Sequence, residues 1–556
     1  MPRRVFWMVL FSMAVLIPSL ASTQTFDESF DLWPVDLKLN GTVVAGGGLQ
    51  LPVKAQELFV RAAAEEDANP VIVMIGSSKE ECAACPTFDT LDTATRIDLL
   101  DGLYSSIPHK SLVKIQASKA VWFHATSSFE HLSRMARDQM IEEAKDIVSN
   151  GGRVFFNQPF VESLGRLDLD SIDDVGLISL KASNLVPDAV IQASYVDDSR
   201  RGVLLGVLAT HPRCVGVGIP SDSAIVLQGR KIRVLGDGAV TFCLMANEQF
   251  PLRIQHVKQA EGRRASPYET IVDLTAWRRD AIERTVEPFP SKTPSIPFVA
   301  NGTLLIVGGG GMPRGLMEEM VKLAGGKDAK MVYVPCSEAD EVSAQQGMLR
   351  VWEEMGVKSA TMIHTKNRVQ ANSDEAFLAP LKDATGIWFG GGRQWNFADS
   401  YYGTRAHELM KGVLARGGVI GGSSAGASIQ GRYLCRANPV ANFDIMAPGY
   451  ERGLGFLSGV AIDQHFSQRG RQKDMTQLVD RYPQLLGIGL DEATAIIVEK
   501  SRAEVVGRGK VFFYDRKQPV IPGTDDFLAL GKGSVFDLEK RAVIKRPMSE
   551  PAETDE

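Results

Sequence analysis

The sequence predicts an α/β protein: a tandem duplication in which each copy is a mostly parallel sheet flanked by helices, with an antiparallel finish. Three observations carry this expectation. First, segments recur in the same order. "NGTVVAGGG" from Asn40 returns as "NGTLLIVGGGG" from Asn301, and "AVWFHATSSFEHLSRM" (120–135) lies over "GIWFGGGRQWNFADSY" (386–401). "GGRVFFNQPFVESLG" (151–165) lies over "GGVIGGSSAGASIQG" (417–431), and "VGVGIPSDSAIVL" (215–227) over "LGIGLDEATAIIV" (486–498). Ordered self-similarity with little drift marks a repeat. Second, apolar β-branched runs alternate with helical patterns, as in a parallel sheet covered on both faces. Third, from Gly487 the pattern changes to short strands with tight polar turns.

In the second copy, "TLLIVGGG" reads as a strand, "GLMEEMVKLAGG" as a helix stopped by glycine, and "MVYVPC" as the next strand. "VSAQQGMLRVWEEMG" is helical, "SATMIH" a strand, "DEAFLAPLKDA" helical and "GIWFGG" a strand. "GTRAHELMKGVLARGG" is a helix, and "VIGG" a short strand running into three closely spaced serines.

These segments divide the chain into 1–21, 40–258, 259–299, 300–533 and 534–556. The first, "MPRRVFWMVLFSMAVLIPSLA", has two arginines, an apolar run and a small-residue site, the pattern of a cleaved export signal. The apolar run is shorter than the ~20 residues a membrane span needs. The signal places the mature protein in the periplasm or outside the cell. Residues 259–299 combine a polar helical stretch with the Pro-rich linker "VEPFPSKTPSIPF", and the tail "PMSEPAETDE" is acidic. Cys82 and Cys85 in "ECAACP" suit a local disulfide in an oxidising compartment, with a redox pair or half a metal site as alternatives. The remaining cysteines, Cys214, Cys243, Cys336 and Cys435, lie in or beside apolar segments, as buried thiols do. A net charge of −6, without clustered Lys and Arg, gives no footprint for nucleic acid. Nothing in the sequence calls for a metal or an organic cofactor.

Gly422-Ser423-Ser424-Ala425-Gly426 fits G-x-S-x-G, the sharp strand-to-helix turn that lifts its central hydroxyl above a sheet. That selects Ser424. Ser423 would point back into the domain, and Ser428 lies one turn into the helix, where its hydroxyl can bond a backbone carbonyl. A serine needs a base, and the base an orienting carboxylate. His364 ends a strand and His407 sits in a helix, whereas His465 lies in the polar cluster "AIDQHFSQRGRQ". Glu492 stands at a strand end, where parallel α/β sheets place their sites. The repeat acts as an internal control. Opposite Ser424, His465 and Glu492 the first copy has Gln158, Ser194 and Ser221, while Pro220 stands for Asp491 and Ser128 for Gln394. The first copy keeps the apolar frame without the reactive residues, as a catalytically inactive domain would.

"GGSSAGA", "FGGGRQ", "DQHFSQRGR" and "GIGLDEATAI" resemble peptidase family S51, on a fold similar to class I glutamine amidotransferases, and within it the cyanophycinase-like members. The resemblance covers about 300–515. It implies a serine exopeptidase with Ser424 as nucleophile, His465 as base and Glu492 as orienting carboxylate. It implies an oxyanion site from Ala425 with Gly391 or Gly392, and substrate contacts from Gln394, Asp463, Gln464, Arg469 and Arg471. Arg469 and Arg471 would grip an aspartyl carboxylate, and Asp463 would receive a guanidinium. The implied substrate is cyanophycin or another β-aspartyl peptide, cleaved to β-Asp-Arg-type dipeptides. The family's pairing habit implies that the two copies pack as an intramolecular pseudo-dimer, with a homo-oligomer also possible. Arg393 departs from the family's usual asparagine, and Asp474 stands where a basic residue is usual. The alternatives are an α-aspartyl dipeptidase, an esterase or a peptide-binding protein. The esterase is disfavoured by the chain order Ser424, His465, Glu492.

Overall fold

The two halves form large sheets of nine and eight strands whose orders correspond strand for strand over eight positions in the computed structural model. It describes residues 39–76, 94–100, 106–125, 134–158, 160–167, 183–260 and 267–546. The export-type leader, Cys82, Cys85, Ser128 and the last ten residues lie outside them.

In the C-terminal half the large sheet runs Ser359–Met362, Lys330–Val334, Gly386–Phe389, Val419–Ser423, Val299–Val307, Thr494–Lys500, Arg502–Gly507, Val535–Asp537, Ala542–Lys545. The first five strands are parallel and the rest antiparallel. In the N-terminal half the order is Thr95–Leu100, Val71–Gly76, Ala120–Ala125, Arg153–Phe156, Thr42–Gly46, Ser223–Gln228, Lys231–Gly236, Ile271–Asp273. Again the first five are parallel and the rest antiparallel. Each half adds a smaller mixed sheet. One contains Leu457–Asp463, Leu486–Leu490 and Val511–Asp515, the other Ala189–Gln192, Val215–Gly218 and Val240–Leu244.

Apolar residues explain the layering. Leu304, Ile306, Ile387, Phe389 and Ile420 point to one face of the C-terminal sheet and are fully buried there against helices. Leu305, Val307, Met331 and Trp388 point to the other face, under the helix Leu316–Leu323. Alternation with both faces covered is what makes these strands read as continuous apolar runs.

Two expected boundaries fall differently. The pair Val535–Asp537 and Ala542–Lys545 extends the sheet past residue 533, its outermost strand being exposed at the sheet edge. Ile271–Asp273, within the expected linker, adds the last strand to the N-terminal sheet and leads into the helix Leu274–Glu283.

That helix joins the halves. Asp273 caps it by accepting from the Ala276 N–H at 2.8 Å. Its charged residues are buried between the halves rather than solvated. Arg279, 3% exposed, pairs with Asp399 of the C-terminal half, and Glu283 accepts from Arg452 at 2.7 and 2.8 Å. Arg230, in the turn between Ser223–Gln228 and Lys231–Gly236, bonds Asp273 at 2.6 Å and Asp399 at 2.6 Å. Burial alone would raise the Asp399 carboxyl. Arg230 and Arg279 outweigh it and hold the group well below the usual carboxylate range. Removing one partner from such a buried set leaves an uncompensated charge, at a cost of about 3–5 kcal/mol.

Candidate active site

Ser424 follows the strand Val419–Ser423 and precedes the short helix Ala425–Ser428. Its φ of 57° is unusual for a residue with a side chain. The neighbours explain how the chain turns so sharply. A Cβ on Gly422 would sit 2.3 Å from the Gly426 carbonyl oxygen, and one on Gly426 would sit 2.1 Å from that of Phe389. Only glycine fits at either position.

His465 stands at the end of the strand Leu457–Asp463, also at positive φ (48°), with its N–H bonded to the Gly308 carbonyl at 2.8 Å. Its Nε2 lies 2.9 Å from Ser424 Oγ and its Nδ1 lies 2.7 Å from Glu492 Oε1. The neutral tautomer follows from the partners: Nδ1–H donates to the carboxylate, and Nε2 accepts from the hydroxyl. Burial lowers the imidazole below its ordinary value, the Glu492 bond opposes that, and Arg469 and Arg471 add to the lowering. His465 is therefore neutral at neutral pH and able to accept a proton. Its side chain is 11% exposed and that of Glu492 33%.

The other serines and histidines fall elsewhere. Ser428 is buried, and its Oγ has no partner among the described residues, so the expected carbonyl bond is not made. His407 donates from Nε2 to the Leu454 carbonyl at 2.7 Å, and burial pushes its imidazole down to about 4. His364 Nε2 bonds the Ala339 carbonyl.

Among the described residues, the N–H groups of Gly391, Gly392 and Ala425 donate to no acceptor. A Cβ on Gly391 would lie 3.6 Å from Ser424 Cβ. Gly391 thus lies beside Ser424 and Ala425 follows it in the chain, whereas Gly392 approaches Cys336; unbonded amides next to the hydroxyl are what holding a developing oxyanion requires.

The expected substrate contacts are mostly occupied. Asp463 is fully buried and accepts from Arg436 Nε at 2.9 Å and Arg471 Nη1 at 2.9 Å, so it is not open to a substrate guanidinium. Arg471 also bonds the Gln464 carbonyl at 2.5 Å and its side-chain Oε1 at 3.2 Å, which takes Gln464 into the same cluster. Gln394 is buried, donating to the carbonyls of Cys435 and Arg436 at 2.6 and 2.9 Å. Asp474, the acidic departure, bonds Arg436 at 2.5 Å. These residues shape the wall of the site. Arg469 differs: it is exposed, and no described residue pairs with its guanidinium.

Sequence reasoning missed Gly309, Gly310 and Gln468, and gave Asp491 no role of its own. A Cβ on Gly309 would fall 2.4 Å from His465 Cε1, and one on Gly310 would fall 2.3 Å from Glu492 Cδ. The glycine run of "NGTLLIVGGGG" therefore gives the imidazole and the carboxylate their room, and the run itself was the available signal. Gln468 accepts the Glu492 N–H at 3.0 Å through its side chain. Asp491 holds the turn after His465 by accepting from the Ser467 N–H at 3.0 Å and the Lys510 N–H at 3.0 Å. Among the described residues no group of three or more His, Cys, Asp or Glu is placed to hold a metal ion. Nor is any helix among them long and apolar enough to cross a membrane.

Residues 304–506 match the sequence model of peptidase family S51. This region of the C-terminal half is similar to that family of peptidases. Among individual relatives it is similar to the cyanophycinase of Geminocystis herdmanii, 27% identical over 36% of this chain and 74% of that protein. The cyanophycinase of Trichormus variabilis is 27% identical over 39% of this chain and 75% of its own. Among solved structures, a peptidase from an acI-B1 Actinobacterium matches 43% of this chain and 97% of its own at 21% identity, with a TM-score of 0.33. A putative peptidase E from Listeria monocytogenes matches 37% and 99% at 15% identity, with a TM-score of 0.28.

Proposed function

We propose that the C-terminal half is a serine-type exopeptidase, exported from the cell, that cleaves aspartyl bonds of cyanophycin or a related β-aspartyl peptide. The observation that carries this reading is the hydrogen-bonded chain from Ser424 through His465 to Glu492. Ser424 Oγ attacks the scissile carbonyl while His465 Nε2 takes its proton, and Glu492 stabilises the imidazolium formed. The oxyanion is held by the N–H of Ala425 with that of Gly391 or Gly392. His465 then passes the proton to the leaving amine, and water, activated by the same base, releases the acyl group. Arg469, unpaired among the described residues, receives a substrate carboxylate. We further propose that the halves are duplicated copies packed as a pseudo-dimer, the first without catalysis of its own.

One observation favours a second substrate. With Asp463 paired internally to Arg436 and Arg471, no free carboxylate is assigned to an arginine side chain. An acidic β-aspartyl peptide without arginine then fits Arg469 equally well.

The test incubates the leader-free protein with cyanophycin, a panel of β- and α-aspartyl dipeptides and a nitrophenyl ester, alongside Ser424→Ala. Release of β-Asp-Arg by the parent alone supports the first reading, and turnover confined to β-aspartyl dipeptides lacking arginine supports the second. Equal activity in both proteins, or activity on the ester only, removes the peptidase assignment.

A further inference from the structure

The N-terminal half reaches the element that carries the proposed oxyanion donors. Gly391 and Gly392 run through Arg393 and Gln394 into the helix Trp395–Tyr401. All seven residues of that helix are buried, Asp399 among them at 3% exposed. Asp399 is held from below by two guanidiniums from outside the C-terminal half. Arg230 Nη1 bonds Asp399 Oδ2 at 2.6 Å, and Arg279 Nη1 bonds Asp399 Oδ1. Tyr450 donates its hydroxyl to the same carboxylate at 2.7 Å. The Arg230 guanidinium also lies 4.5 Å from the centre of the Trp395 ring, one residue from Gln394. The helix is thus clamped at both its start and its middle by side chains from beyond the domain it belongs to.

We propose that Arg230 and Arg279 are positioning residues for the peptidase reaction. By fixing Asp399 they fix the helix Trp395–Tyr401, and with it the Gly391 amide beside Ser424. This rests on the reading of Ser424 as nucleophile given above. An oxyanion donor contributes only when it is held in the productive geometry, and small displacements are costly to rate. The triad side chains are seated on other elements: the Ser424 turn, the end of Leu457–Asp463, and the turn after Leu486–Leu490. Loss of the clamp should therefore slow the reaction without altering the titration of His465. A merely loosened fold would disturb both.

The experiment uses the full chain and a fluorophosphonate probe, which needs no knowledge of the natural substrate. Ser424 Oγ displaces fluoride from phosphorus, its proton passing to His465, and the P=O oxygen occupies the oxyanion site. Second-order labelling rates are measured against pH for the parent, Arg279→Met, Arg279→Lys, Asp399→Asn and Ser424→Ala. Asp399→Asn removes charge without removing volume, and so remains informative if Arg279→Met fails to fold. We expect at least tenfold slower labelling in Arg279→Met and Asp399→Asn, the same pH midpoint as the parent, and recovery of much of the rate in Arg279→Lys. Parent-like rates in folded Arg279→Met or Asp399→Asn overturn the clamp alone, as does a slowed rate with a shifted midpoint. Failure to label the parent, or equal labelling of Ser424→Ala, overturns the nucleophile assignment and the clamp with it.

Discussion

The two halves build the same frame and fill it differently. In the C-terminal half the Gly308 carbonyl receives the His465 N–H at 2.8 Å, and in the N-terminal half the Gly47 carbonyl receives the Ser194 N–H at 2.8 Å. The next bonds match as well, Phe466 N–H to the Leu490 carbonyl at 3.1 Å and Tyr195 N–H to that of Ile219 at 3.0 Å. Around this shared backbone the polar groups diverge. Ser194 donates its hydroxyl toward Gln158 Oε1 at 2.7 Å, where the other half has imidazole and nucleophile. The glycines flanking Ser424 are replaced by Phe156 and Phe160, whose rings pack 5.9 Å apart, and Gln158 does not take positive φ. The Ala125 N–H, matching that of Gly391, is already bonded to Asn157 Oδ1 at 2.9 Å. The frame alone therefore does not make a site. Two glycines, a free amide and three side chains must coincide.

The sharpest way to break this comparison is to exchange the side chains. Ser424→Ala should lower turnover of the productive peptide by about 10⁴-fold or more. Adding Gln158→Ser, Ser194→His and Ser221→Glu to that variant should restore nothing, because Phe156, Phe160 and Asn157 still deny the elbow and the amide. Activity above the Ser424→Ala background, measured by product release, would show that the side chains suffice.

A smaller effect distinguishes a working imidazole from a structural one. Burial, with Arg469 and Arg471 nearby, lowers His465, so the rate should rise with pH and level off with a midpoint below the ordinary 6.5. Arg469→Gln should move that midpoint upward, since a lowering charge is lost. A kcat/KM profile with a midpoint above 6.5, or unmoved in the variant, contradicts the arrangement.

The smallest effect lies at the seam. Burial, with Glu283 adding to it, pushes the Glu451 carboxyl up from 4.5 to about 7, and Tyr433 donates to it at 3.0 Å. Between these values the folded chain holds a proton that the unfolded chain has lost, so stability falls as pH rises through that window. Urea unfolding at pH 5 and pH 8 should show a larger loss in the parent than in Glu451→Gln. Equal losses would place Glu451 outside the seam's electrostatics.

Much of the C-terminal half was legible in its sequence. The strands from Val299 to Ser423 follow apolar runs, and Ser424, His465 and Glu492 stood out because the matching N-terminal positions carry Gln158, Ser194 and Ser221. What was hidden is long-range and polar. Arg436 and Arg471 both satisfy Asp463, a pairing that the turns bring together only on folding, whereas the resemblance implied substrate contacts for Asp463 and Arg471. Arg279 and Asp399 sit 120 positions apart in unremarkable polar surroundings, and only folding makes them partners. The strands past residue 533 are short, one buried and the outer one exposed at the sheet edge, which leaves little alternation to read.

The contact between Gln158 and Ser194 also limits what a single substitution can achieve. Placing histidine at 194 alone would set an imidazole against an amide with no hydroxyl to activate, and placing serine at 158 alone would supply a hydroxyl with no imidazole to take its proton, that of Ser194 keeping the Gly47 carbonyl at 3.0 Å. The N-terminal half is thus closed to one-step acquisition of a Ser–His pair, because neighbouring positions depend on one another.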